Sequence, residues 1–175
     1  VTTQTHQTYD TAHHVELTTL VSRYFRSLDE TAADGGWAAE RFFTRDASTR
    51  TPIGDVEGAA AIAEHTRTAL GRFAATQHVS SDVLTEVDAD SGRAEVSWNA
   101  LMTHVHHEST LERRGPGATA LFTVGGHVRA EAQLTEAGWR FTRMSIRAVW
   151  RTGEPPFLPE EVLAQLPDAP GELSK

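Results

Sequence analysis

The chain has no cysteine, so any catalytic chemistry falls to carboxylates, histidines, tyrosines and arginines. Two residues stand out. Asp29 follows Phe25 by one helical turn and Val21 by two, on the edge of an apolar helical stripe. There it is either a solvated carboxylate near a helix end or a buried acid–base group. His78 opens a long run of strand-like alternation, where a histidine is either structural or catalytic. A histidine that acts as a base needs a partner to hold its tautomer, and a carboxylate such as Asp29 supplies one. Such a pair could take a proton from carbon next to a carbonyl and return one to a leaving hydroxyl. Dehydration and aldol-type ring closure both need that chemistry.

Other candidates surround this pair. Asp82, four residues after His78, shares its face if no bulge intervenes; it is then a second pocket acid or a polar strand residue. Tyr24 lies on the apolar stripe and either packs the core or donates its phenol to a substrate oxygen. Trp98 and Met102 lie on one strand face and suit an apolar, aromatic ligand; core filling explains them equally well. His104, His106 and His107 resemble a metal motif, but no Asp, Glu or His at a second spacing completes the ligand set. An exposed strand end is expected there, and no metal. Arg143 and Arg147 share a face with Phe141 and Ser145 and are read as outward, because Met144, Ile146, Ala148 and Trp150 opposite are more apolar. No Ser-His-Asp order, phosphate loop or dinucleotide fingerprint is present. Gly125-Gly126 reads as a bulge in a bent strand.

Composition bounds the rest. At 175 residues, 39% hydrophobic and 23% charged, the chain is one domain with a real core. Its apolar runs fall short of the roughly 20 residues a membrane helix needs. No signal peptide is visible, and a cytoplasmic setting is expected. The formal charge is −8, with one lysine and fifteen arginines that form no cluster. Neither nucleic acid nor an anionic membrane is therefore an expected partner.

Several elements must position the candidates. Residues 1–11 are polar and read as a frayed leader. Val15 to Leu28 recur at helical spacing, with a stop at Gly35-Gly36. Trp37 to Phe43 reads as a second short helix and Thr44 to Thr51 as a polar strand or loop. A turn at Pro52 and Gly54 leads to a helix over 58–70. Period-two alternation then gives strands over 75–88, 92–108, 119–134 and 138–150. A tight turn lies at Asp88–Gly92 and a looser one at Glu112–Gly117. The tail carries a short helix opened by Pro159-Glu160-Glu161. Helices followed by a long meander predict an α+β fold: a curved antiparallel sheet wrapped around N-terminal helices, forming a cone-shaped pocket. Ala94, Val96, Trp98, Ala100 and Met102 should face the helices.

Four segments carry a family resemblance: Arg23–Asp29 with Trp37 and Phe42–Asp46; Thr51–Gly58; His78–Asp90; and Gly125-Gly126 through Gly138–Phe141 to Trp150–Gly153. Together they resemble the SnoaL-like polyketide cyclases of the nuclear transport factor two-like superfamily. The resemblance implies three regions: a leader at 1–14, the domain at 15–153 and a tail at 154–175. It implies that Asp29 and His78 match the catalytic Asp and His of the dehydratase branch. The chain departs from many relatives after Gly125-Gly126, where Val128 and Ala130 replace an aromatic and an acid.

Two readings follow. One is a cofactor-free enzyme that dehydrates, isomerises or cyclises a small apolar, polyketide- or steroid-like substrate. Asp29 and His78 are catalytic in it, and Tyr24, Asp82, Trp98 and Met102 bind the ligand. The other is a non-catalytic binding or assembly module on the same fold. A homodimer is expected through an apolar second sheet face made of Leu101, Val105, Met144, Ile146, Ala148 and Trp150. The alternative is a monomer whose tail covers that face with Phe157, Leu158, Val162, Leu163 and Leu166.

Overall fold

A computed structural model describes the backbone of residues 2–34, 37–164 and 166, with side chains described for 11–30, 37–164 and 166. A long helix α1 (Thr2–Asp34) leads into a single 3-10 turn at Ala39–Arg41. Strands β1 (Phe43–Thr51) and β2 (Gly54–Glu57) follow, then helix α2 (Ala59–Leu70). Strand β3 (Phe73–Asp88) and β4 (Arg93–His106) are joined to β5 (Leu121–Thr135) and β6 (Gly138–Thr152) through a short helix α3 (Glu108–Arg114). Helix α4 (Glu160–Leu163) lies in the tail. The six strands make one sheet in the order β2-β1-β6-β5-β4-β3. All neighbours are antiparallel except β1 and β6, which run parallel. Among the described residues no helix is long and apolar enough to cross a membrane.

The helical stripe explains the docking of α1. Leu17, Leu20, Val21, Tyr24, Phe25 and Leu28 recur every three or four residues, and all are buried. They meet the inner face of β4 and β5, where Ala94, Val96, Trp98, Ala100, Val128 and Ala130 are buried in turn. Polar clasps fix the helix: Trp139 Nε1 donates to Glu16 at 3.1 Å, and Trp37 Nε1 donates to Ser27 Oγ at 2.8 Å. Ser27 in turn donates to the carbonyl of Tyr24 at 2.6 Å. Glu16 is thereby tied to β6 and Ser27 to the segment after the helix, and Asp29 lies two residues beyond Ser27.

Bulges decide which side chains face inward. Near the start of β3, Ala74 is the extra residue between the pairs Phe73–His106 and Ala75–Val105, so Phe73 and His78 share the inner face. In β3 one extra residue sits between the pairs Ser81–Asn99 and Leu84–Ser97, and Asp82 takes φ +53° there. In β6, Thr142 is the extra residue between Phe141 and Arg143, so Phe141 is fully buried while Arg143 is exposed. Val149 is the extra residue opposite Gly125-Gly126. It turns Trp150 outward while Met144, Ile146 and Ala148 stay on the inner face.

Several expectations are corrected. Helix α1 begins at Thr2, so the polar stretch 1–11 is helical over its described part; the stop at Gly35-Gly36 lies outside the described residues. The segment 37–43 holds one 3-10 turn, not a second helix. The four-residue strand β2 occupies what reads as a turn and its exit. The loose connection at Glu112–Gly117 is largely helical: α3 has Glu108 in its first turn and Arg113 and Arg114 in its last, which suits the helix dipole without any apolar periodicity. Arg143 and Arg147 do face outward, but Phe141, Met144, Ile146 and Ala148 belong inside. The described residues of the tail do not line the row of Val79, Leu101 and Trp150 on the outer face. Pro156, Leu158 and Leu166 pack at the inner cavity instead.

Candidate active site

Asp29 leaves the end of α1 pointing at the start of β3. Its carboxylate accepts three hydrogen bonds there: from Thr76 Oγ1 at 3.0 Å, from the backbone N–H of His78 at 3.0 Å, and from His78 Nδ1 at 2.6 Å. Burial pushes the Asp29 carboxyl up, but the hydrogen bonds from the ring and backbone of His78, its charge, and Thr76 outweigh that and hold it below its usual value. An ionised carboxylate only accepts, so Nδ1 of His78 carries a proton, and in the neutral ring Nε2 holds the lone pair. The His78 side chain is 4% exposed, against 21% for Asp29. Phe25 packs against the ring of His78 at 5.5 Å between centroids.

His78 lies on the wall of a cavity of about 170 Å³ between the sheet, α2 and the tail. Its inner wall is apolar: Met102, Phe122, Val124, Met144 and Ile146 line it from the central strands. The hairpin of β1 and β2 adds Thr51, Pro52 and Ile53, and α2 adds Ile62 and Leu70. Groups of this kind exclude water and strengthen each polar interaction made inside.

A second histidine shares the wall. His104 is 9% exposed on the inner face of β4, and its ring meets that of His78 edge-on at 5.6 Å. Its Nδ1 lies 3.1 Å from the carbonyl of Phe122, which only accepts, so Nδ1 donates and Nε2 holds the lone pair. Burial lowers its pKa to about 4, and the charge of His78 adds to this; the bond to Phe122 and the charge of Asp29 oppose it only in part. His104 is therefore neutral at pH 7, and it offers the cavity a hydrogen-bond acceptor.

The remaining candidates divide. Tyr24 lines the cavity near Leu28 and is ringed by Phe25, Trp37, Phe42, Phe43 and Phe141; burial raises its hydroxyl pKa far above the ordinary value. Met102 lines the cavity wall. Trp98 does not line it. Its indole is 2% exposed, packed on Phe25 and Phe141 where the cone is closed. Asp82 does not line it either. The bulge turns Asp82 to the outer face, where its carboxylate accepts from Asn99 Nδ2 at 2.8 Å and from Ser81 at 3.1 Å. His104 and His106 are not an exposed strand end; both are buried, and His106 Nε2 donates to the carbonyl of Glu154 at 2.8 Å. Among the described residues no group of three or more His, Asp or Glu side chains is placed to hold a metal ion. The alternation that put Met102 on the inner face puts His104 there too, and that signal would have found it.

Solved structures share the fold. A nuclear transport factor 2-like superfamily protein from Salmonella enterica superposes with a TM-score of 0.66 at 18% identity, over 79% of this chain and 92% of its own. A protein proposed to be a scytalone dehydratase, from Novosphingobium aromaticivorans, gives 0.65 at 16% identity, over 83% and 90%. The hexachlorocyclohexane dehydrochlorinase LinA-type3 from Novosphingobium barchaimii gives 0.66 at 15% identity, over 86% and 97%. At these identities the likeness is one of fold. No curated protein matches the chain in sequence. The sequence pattern of the SnoaL-like domain does match, over residues 10–145, and the chain belongs to the SnoaL-like family.

Proposed function

We propose that this protein is a cofactor-free enzyme that removes a proton from carbon in a small, largely apolar molecule and so drives its dehydration, isomerisation or ring closure. The observation that carries the reading is the 2.6 Å bond between Asp29 and His78 at the wall of an apolar cavity. His78 Nε2 takes the proton. The carboxylate of Asp29 holds the ring in the required tautomer and stabilises the imidazolium that forms. That imidazolium then returns its proton to a leaving hydroxyl or to another carbon. Neutral His104 and the hydroxyl of Tyr24 are placed to hold a substrate oxygen, and Met102 contributes apolar contact. The names of two proteins of the same fold, a dehydrochlorinase and a proposed dehydratase, are in keeping with elimination chemistry.

The test uses 5-nitrobenzisoxazole, a compact fused-ring carbon acid whose deprotonation at carbon opens the isoxazole ring to a coloured phenolate. The protein should accelerate this reaction with saturation. Asp29→Asn and His78→Gln should each lower the rate about 10²-fold or more. Rates within a few-fold of the wild type in both variants would reject the mechanism. Binding of the ring compound with no acceleration would favour the binding module, a reading supported by Val128 and Ala130, which are buried in the core where relatives are expected to carry an aromatic and an acid.

We further propose a two-fold homodimer through the outer face of the sheet. Val79, Leu101, Gly125 and Trp150 form one cross-strand row there. Val79 is 49%, Leu101 42% and Trp150 39% exposed. Trp150 lies on Gly125 so closely that a Cβ on that glycine would come within 2.2 Å of its ring. An apolar row across four strands favours contact with a second copy.

A further inference from the structure

The cavity wall holds one permanently charged side chain, Arg72, half-buried where α2 ends and β3 begins. Other arginines have carboxylate partners: Arg50 with Asp55 at 3.0 Å, Arg143 with Glu131 at 2.8 Å and Arg114 with Glu154 at 3.5 Å. The sequence has 24 acidic residues, yet among the described residues none pairs with Arg72. Two polar residues of α2, His65 and Thr66, share this part of the wall. His65 Nε2 is buried with no hydrogen-bond partner among the described residues. Burial, and then the charge of Arg72, lower the pKa of His65, so its ring is neutral beside the guanidinium. Among the described residues no carboxylate lines the cavity, and Asp29, behind His78, is already engaged by Thr76 and His78.

A guanidinium presents a planar fork of donors that matches a carboxylate. Set in an apolar wall with no carboxylate partner among the described residues, it has donors to offer a ligand. We propose that Arg72, with His65 and Thr66 beside it, receives a carboxylate of the substrate, so that the natural ligand is a small apolar acid. Its hydrocarbon body lies against Met102, Phe122, Val124 and Met144, in reach of His78, and its carboxylate points to the end of α2. A cavity of about 170 Å³ takes a single ring with a short chain, since engineered voids of about 150 Å³ hold benzene. The proposal rests on the reading of this cavity as the ligand site, and it adds the charge of the ligand.

The probe is 3-phenylpropionate, compared with its uncharged twin 3-phenylpropanamide by titration calorimetry on the full chain. The wild type should bind the acid about tenfold more tightly than the amide at low salt, and added salt should narrow the gap. Arg72→Gln should lose the preference and bind both compounds with similar affinity, in a protein that still unfolds cooperatively. Arg72→Lys should keep part of the preference. Equal affinities in the wild type, binding of neither compound, or a preference that survives Arg72→Gln would each overturn the proposal. Acid preference in a protein that leaves 5-nitrobenzisoxazole unreacted would reject the catalytic reading and keep this one.

Discussion

Trp98 and Met102 stand on the same face of β4, four residues apart, and meet different surroundings. Trp98 is sealed between Phe25 and Phe141 at the closed end of the cone. Met102 is half-buried at the open end, on a cavity that also exposes His78 and His104. The face is the same; the depth of the cone is not. Aromatic rings from α1, β1 and β6 fill the closed end, whereas α2, the β1–β2 hairpin and the tail stand back from the other. In the proposed reading, ligand chemistry belongs to the second region and stability to the first.

The contrast can be broken by truncation. Trp98→Ala should cost about 3–5 kcal/mol in urea unfolding, because it leaves a void among packed rings. Met102→Ala should cost about 1–2 kcal/mol, because its side chain already borders open space, and it should weaken binding of 3-phenylpropionate. Equal losses of stability would show that the two ends are packed alike.

A pH titration sharpens the same contrast. His104 has a folded-state pKa of about 4, below the unfolded value of about 6.5. Between those values the unfolded chain binds a proton that the folded chain does not. This contribution is fully present above about pH 6.5 and is lost as pH falls toward 4. The melting temperature should therefore drop through that window. His104→Gln should flatten the drop, whatever it does to stability at pH 7. An unchanged slope in the variant would mean that His104 is not the buried neutral group described above.

The smallest effect on the fold belongs to the outer face. Trp150→Ser should leave monomer stability within about 0.5 kcal/mol, as surface changes do. It should convert a dimer seen by light scattering at micromolar concentration into a monomer. A monodisperse monomer for the wild type would refute the proposed pairing.

Much of this was legible in the residues. The stripe from Leu17 to Leu28 and the alternation of Ala94 to Met102 placed a helix on the inner face of a curved sheet, because both periodicities are long and uninterrupted. Asp29 and His78 could be singled out one by one. That they meet depends on how α1 docks, with Trp37 bonded to Ser27 just before Asp29, which no local pattern encodes. The failures sit at the bulges. One extra residue in a strand reverses every side chain beyond it, and neither Asp82 nor Thr142 is a glycine that would flag the irregularity. Gly125-Gly126 did flag one, yet Trp150 was grouped with Met144 to Ala148 because the extra residue, Val149, lies on the partner strand. The parallel pairing of β1 with β6 joins segments far apart in the chain, beyond the reach of any hairpin signal.

The most direct test of the central claim is a double-mutant cycle on the 5-nitrobenzisoxazole reaction, with Asp29→Asn, His78→Gln and both together. Asp29 acts only through His78 in this account, so the double variant should be no slower than His78→Gln alone. Losses that multiply, or a wild-type rate that neither substitution lowers, would contradict a single Asp29–His78 base.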